Sequence, residues 1–204
     1  MTFILYVAAY VIGSIPTAII VGRLFFGVDI RDHGSNNPGA TNTIRVLGKK
    51  AGLIVLIVDI GKGALAAALP FILHVDMDPL LLGLVAVLGH CFPVFAGFRG
   101  GKAIATTAGT LLIANPLMLL IAYVCFFGVI FATKYVFMGS ISVGTALFIY
   151  ALVEPGQDYE LIFFLFILFL LFLHRSNIRN FMAHKEPKIN DKNLKNDRIS
   201  SKKK

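Results

Sequence analysis

The segment Phe98–Gly109, FRGGKAIATTAG, sets two glycines before a lysine, a combination suited to holding an anion. Glycine lets backbone N–H groups approach an anion closely, and the lysine ammonium supplies the opposite charge. Gly100, Gly101 and Lys102 also precede a helix start, where the helix dipole adds to the attraction. The segment is not a Walker A loop, which needs G-x-x-x-x-G-K-[ST]: Ala96 stands five before Gly101 and Ala103 follows Lys102. A second segment, HGSNNPGATNTIRVLGKK from His33, gathers Ser35, Thr41 and Asn42 near Arg45. These are neutral hydrogen-bonding groups beside a guanidinium fork matched to phosphate. A third, HRSNIRNFMAHKEPK, clusters His174, Arg175, Asn177 and Arg179. Each alone reads as a turn or an interface anchor. Three on one membrane face read as one anionic site beside lipid.

Two further groups bear on chemistry. In DIGKG, Asp59 and Lys62 stand three apart and share a helix face, where they can pair. An ion pair within a membrane span is costly and faces the bundle interior or a wet cavity. A structural pair near the cavity is favoured over a catalytic one. His90 stands at the cytoplasmic part of its span, as a packing donor or a reactive group.

The elements that must position these residues are apolar helices. The 204-residue chain is 57% hydrophobic, above the roughly 45–50% of soluble domains, and its mean hydropathy is +0.79. Its long uncharged runs make it an all-α integral membrane protein. The first run lacks a basic flank and is too long for a signal peptide, so it is read as a retained span. The polar turns divide the chain into spans near 4–26, 53–73, 80–95, 104–136 (broken at Asn115-Pro116), 140–153 and 161–173. Several are short against ~30 Å of hydrocarbon, which leaves five to seven crossings and a re-entrant hairpin open.

Charge selects seven. With seven crossings one side carries Arg23, Arg31, Arg45, Lys49, Lys50, Arg99, Lys102, Lys134, Arg175, Arg179 and the tail. The other carries Asp76, Asp78, Glu154, Asp158 and Glu160, with no lysine or arginine. The N-terminus is then outside and the C-terminus cytoplasmic. Residues 1–180 form a single membrane-embedded catalytic domain, and 181–204 a basic, largely disordered cytoplasmic tail. From residue 185 that tail has eight Lys/Arg against three acids, so the net charge of +8 signals lipid headgroups or solvation, not nucleic acid. Cys91 and Cys125 lie in apolar sequence and are read as small hydrophobes without a disulfide.

Three motifs resemble those of the bacterial acyl-phosphate:glycerol-3-phosphate acyltransferases: GSNNPGATN at Gly34–Asn42, GHCFPVFAGFRGGKAIAT at Gly89–Thr106, and HRSNI at His174–Ile178 with Glu186 downstream. Order, spacing and span layout match through about Lys188. The resemblance implies transfer of an acyl group from acyl phosphate to the sn-1 hydroxyl of glycerol 3-phosphate, giving lysophosphatidic acid. It also implies an N-out, C-in bundle of seven helices. Position by position, Ser35 and Arg45 are expected as glycerol-phosphate ligands and Gly100-Gly101-Lys102 as a phosphate cradle. The resemblance also implies Asn177 and Glu186 as the third motif's functional pair. Ser142 resembles a site-lining position, and Thr41, Asn42, Thr106 and Arg179 complete the expected substrate contacts. The chain departs from the family at Ala103 and His184, where glycine is usual, at Asn180, where arginine is, and at Phe181, where leucine is.

An acyl phosphate is already activated, so neither a covalent nucleophile, a metal nor a cofactor is expected. Consistently, no His-x-x-x-x-Asp or Gly-x-Ser-x-Gly pattern occurs. Direct attack would rest on positioning and electrostatics, with Lys102 and Arg45 holding two phosphate groups. A departing phosphate oxygen is the expected proton acceptor, with His90 and His174 as rival bases. The expected partners are the two substrates, membrane lipid and an enzyme that forms acyl phosphate, at the bacterial plasma membrane with a cytoplasmic active site. The competing readings are a transporter or flippase for a phosphorylated solute or lipid, suggested by the Asp59/Lys62 pair and the broken helices, and an inactive divergent relative.

Overall fold

The computed structural model describes residues 2–154 and 158–199. The centre of the turn after Glu154 and the tail lysines 202–204 lie outside the described residues. The described chain is helical: α1 (Thr2–Gly13), α2 (Thr17–Val21) continued by a π-turn (Gly22–Phe26), α3 (Ala40–Leu47), α4 (Lys49–Leu73), α5 (Pro79–Cys91), α6 (Ile104–Ala114), α7 (Pro116–Thr133), α8 (Val136–Val153), α9 (Glu160–Leu173) and α10 (Arg175–Met182). Short 3-10 turns cover Ile30–Asp32, Val94–Ala96 and Lys192–Asp197, the last within the tail expected to be disordered.

Local chemistry places the breaks. Pro16 lacks an N–H and restricts the residue before it, so the first span breaks between α1 and α2. Pro116 separates α6 from α7, as its position after Asn115 predicts. Asp78 caps α5 by accepting the Leu80 N–H at 2.7 Å, with Pro79 as the first helical residue.

Among the described residues, five helices are long and apolar enough to cross a membrane, and six if α9 and α10, bent by 57°, count as one span. α6, expected as a span, has eleven residues, about 16 Å at 1.5 Å per residue and short of ~30 Å.

The chain packs as two compact units, Met1–Asn115 with Asn193–Lys204, and Pro116–Lys192. In the second, α8 packs against α7 and α9. In the first, α4 packs on α1, α3, α5 and α6. α4 buries Gly52, Val55, Asp59, Lys62, Gly63, Ala66 and Ala67 and exposes Leu53, Ile54, Ile57, Leu65 and Phe71. Small and charged residues inward with large apolar ones outward is the pattern of a helix in lipid. Cys91 and Cys125 are both free thiols.

The α4–α6 contact is close enough to require glycine on both sides. A methyl on Gly63 would come 2.1 Å from the Thr106 carbonyl oxygen, and one on Gly109 would come 1.8 Å from that of Ile60. Gly109→Ala is therefore expected to lower stability by about 1–3 kcal/mol. Gly128→Ala, with nothing within 4 Å of the new methyl, should leave it unchanged or slightly higher; thermal unfolding in detergent compares the two. Ala103, just before α6, has φ +73°, where a side chain costs about 1–2 kcal/mol. Ala103→Gly should raise the unfolding midpoint in the same assay.

Candidate functional site

The Gly100–Gly101 turn folds back on the end of α5. Gly100 N–H donates to the Cys91 carbonyl and Gly101 N–H to that of His90, both at 3.1 Å. These donors were expected to face an anion, and here α5 takes them up. The glycines are needed for a different reason. A methyl on Gly100 would meet the His90 carbonyl oxygen at 2.0 Å, and one on Gly101 would meet His90 Nε2 at 2.1 Å. Charge at this turn comes from the Lys102 and Arg99 side chains.

Beneath the turn lies a buried ionic cluster. Lys62 Nζ is 2.8 Å from Asp59 Oδ1, 2.7 Å from His90 Nδ1 and 3.1 Å from the Ile15 carbonyl. Thr17 Oγ1 donates to Asp59 Oδ1 at 3.1 Å. The Asp59/Lys62 pairing expected from their spacing is thus formed, with both residues buried. Asp59, Lys62 and His90 line a cavity with Pro38 of the first motif and Arg99, Gly100 and Gly101 of the second. Sequence reasoning raised Arg99 only as a loop charge, and nothing in the spacing marks Pro38 as its neighbour.

The first motif is built around Asn42. Its buried amide donates to the Ile30 and His33 carbonyls at 3.3 and 3.0 Å, and its Oδ1 accepts the Ser35 N–H at 2.9 Å. Asn42, expected as a substrate contact, is here the residue that shapes the loop, while Ser35 and Thr41 are exposed. Arg31 ties the first two loops together. It grips Asp29 with two bonds, Nε to Oδ1 at 3.0 Å and Nη2 to Oδ2 at 2.8 Å, and donates from Nη1 to the Ala96 carbonyl at 2.8 Å. The hydrogen bond from Arg31 holds the Asp29 carboxyl well below the usual carboxylate range, and Asp29 in turn raises Arg31. No motif signalled this latch.

Arg45, half-buried, is ion-paired with Asp197 of the tail. Thr106 is fully buried in the α4–α6 packing, and its hydroxyl, one of three buried side-chain atoms without a partner among the described residues, contacts no polar group there.

The remaining candidates belong to the second unit. Asn177 Nδ2 donates to Glu186 Oε1 at 2.6 Å, forming the pair expected from the third motif. The Asn180 carbonyl closes that turn by accepting the Lys185 and Glu186 N–H groups at 2.7 and 3.2 Å. His174 is buried with Nδ1 2.9 Å from the Leu170 carbonyl. Ser142 Oγ donates to the Gly139 carbonyl at 2.7 Å, and Arg179 is exposed. Phe181 packs edge-on to Tyr135, ring centres 5.1 Å apart. His184, like Ala103, has a positive φ, +56°. At both positions where the resemblance led glycine to be expected, this backbone is left-handed.

The chain was compared with known proteins. The profile of the family described as glycerol-3-phosphate acyltransferase matches residues 3–184. A protein of that name from Bacillus cytotoxicus is 47% identical over 190 residues, covering 93% of this chain and 96% of the relative. One from Bacillus velezensis is 49% identical over 186 residues, 91% of this chain and 96% of the relative. Among solved structures, the glycerol 3-phosphate form of PlsY (YgiH), an integral membrane glycerol 3-phosphate acyltransferase, superposes with TM-score 0.83 at 32% identity, over 91% of this chain and 94% of that one. Its lysophosphatidic acid form gives 0.80 at the same identity and coverage. With the profile running through all three motifs, the chain belongs to the glycerol-3-phosphate acyltransferase family.

Proposed function

We propose that this protein transfers a fatty acyl group from acyl phosphate to the sn-1 hydroxyl of glycerol 3-phosphate, releasing phosphate and lysophosphatidic acid. The observation that carries the reading is the joining of the first two motifs: the Arg31 bond to Ala96 latches their loops, and Pro38, Gly100 and Gly101 line one cavity. Solved relatives titled as glycerol 3-phosphate and lysophosphatidic acid forms support the substrate and product.

Ser35, Thr41 and Arg45 bind the glycerol phosphate, and Lys102 with its loop bears the acyl phosphate. Thr106 and Asn42 support these loops from behind. Asn177, Glu186, Ser142 and Arg179 contribute from the third motif and α8, and His90 and His174 complete the set of catalytic residues. The apolar faces of the helices accommodate the acyl chain. The hydroxyl oxygen bonds to the acyl carbon, the carbon–oxygen bond to phosphate breaks, and the proton leaves on the departing phosphate. No cofactor takes part.

The protein sits in the bacterial plasma membrane as seven crossings, N-terminus out and C-terminus in, with α6 crossing as a short or re-entrant segment. That topology rests on every loop lysine and arginine lying on one side and none on the other. The site then opens to the cytoplasm, where an acyl-phosphate-forming enzyme supplies the donor.

Purified protein given acyl phosphate and glycerol 3-phosphate should form lysophosphatidic acid, and none from acyl-CoA. Arg45→Ala and Lys102→Ala should each lower kcat/KM by about 10–100-fold, the loss expected for a hydrogen bond to a charged group. Wild-type rates in both variants would remove the two-anion site. Glycerol 3-phosphate flux into proteoliposomes without acylated product would favour the transporter reading.

A further inference from the structure

A lysine ammonium has three donor hydrogens and accepts nothing. Three acceptors surround Lys62 Nζ: Asp59 Oδ1, His90 Nδ1 and the Ile15 carbonyl. The ammonium therefore keeps His90 Nδ1 as an acceptor, and the single ring proton of a neutral His90 stands on Nε2. That nitrogen lies against the Gly100–Gly101 turn, 2.1 Å from where a Gly101 methyl would be. His174 is the opposite case: the backbone carbonyl beside its Nδ1 can only accept, so Nδ1 carries a proton.

We infer that His90 acts in acyl transfer as a neutral hydrogen-bond donor from Nε2, and that Asp59 and Lys62 are positioning residues that fix its tautomer. This rests on the proposed acyl transfer and assigns a role within it. The donor meets a phosphoryl or acyl oxygen at the turn, where negative charge grows during transfer. His90 gains and loses no proton in this role. The cluster has a matching internal logic. Lys62 has no donor left for a substrate, and Asp59 pairs with it at 2.8 Å inside the helices.

Glutamine carries an N–H near the place of Nε2, whereas asparagine and alanine do not. His90→Gln should keep kcat within about tenfold of wild type, while His90→Asn and His90→Ala fall together by about 10²-fold or more. Equal loss in all three folded variants would overturn the assignment. Asp59→Asn,Lys62→Gln removes both charges at once, leaving no lone buried ion. It should lower kcat with KM for glycerol 3-phosphate within threefold; a matching rise in KM with unchanged kcat would contradict a positioning role. A readout that does not need turnover is the imidazole nitrogen spectrum of ¹⁵N-histidine-labelled full-length protein at pH 7. The resonances lost in His90→Gln should show a protonated Nε2 and a bare Nδ1. The reverse pattern would sink the proposal whether or not the protein is active.

A second inference comes from the tail, beyond the end of the family match at His184. Asp197 is ion-paired with Arg45, Ile199 N–H donates to the Val46 carbonyl at 2.8 Å, and Ile199 packs on the cluster containing Ile30, Val46 and Leu47. The Arg198 guanidinium lies against Gly48, where a methyl would approach Nη2 to 2.3 Å. Three consecutive residues thus seat a carboxylate on the arginine of the first motif. The geometry points to the tail as an intramolecular competitor: Asp197 occupies the fork that the substrate phosphate uses, and must leave for phosphate to bind. This rests on Arg45 being a phosphate ligand.

In the full-length protein, Asp197→Asn should lower KM for glycerol 3-phosphate about two- to fivefold, the range of a partly exposed ion pair, with kcat unchanged. Asp197→Glu should restore the wild-type KM. An unchanged or raised KM in Asp197→Asn would overturn the competitor. Arg45→Ala separates the two readings. If it leaves KM unaltered, the ligand role of Arg45 fails; if it raises KM while Asp197→Asn does not lower it, only the tail proposal fails.

Discussion

An ammonium and a carboxylate buried among apolar helices have no water to turn to, and everything around the first two motifs is arranged about that fact. Asp59 and Lys62 neutralise one another, and the ammonium still has two hydrogens to place. One reaches the Ile15 carbonyl where Pro16 breaks the first span, and the other reaches His90 at the end of α5. A single cluster therefore joins the first span, α4 and α5 at the depth of the cavity. The Gly100–Gly101 turn lies against the His90 side chain that this cluster holds.

The loops above this cluster are held by a different kind of bond. Arg31, Asp29 and Asn42 carry the connections that elsewhere a sheet or disulfide would make. Asp29 stays ionised because two arginines surround it, and Asn42 satisfies three backbone groups from one buried amide. Together these bonds make a frame of loop residues. The exposed Ser35 and Thr41 hydroxyls and the half-buried Arg45 fork stand on that frame. The division of labour explains why so few polar residues of the motifs are free to bind a ligand: most of them hold the others in place.

The two positions where glycine was expected from the resemblance share one backbone trait. Ala103 and His184 both have positive φ, the region where a side chain meets steric resistance and glycine meets none. At Phe181, another departure, the larger ring fills an aromatic cluster with Tyr135 and Phe137.

The sequence by itself determined the medium and the elements: apolar runs, one of them broken at Asn115-Pro116, can only be helices in lipid, because no other open backbone is satisfied there. It also determined the Asp59/Lys62 pair, since three-residue spacing on a helix fixes a shared face, and the Asn177/Glu186 pair through its motif. Charge placement argued for a topology with every loop lysine and arginine on one side of the membrane. What only the tertiary structure decided are relations between residues far apart in the chain. Gly100 and Gly101 look like an anion nest until α5 is seen to accept both N–H groups. Asn42 looks like a ligand until its amide is seen inside the loop. Arg45 and Asp197, separated by most of the sequence, carry no spacing signal at all. Periodicity reports which face a residue shares with its own element; what packs against that face depends on how the elements come together.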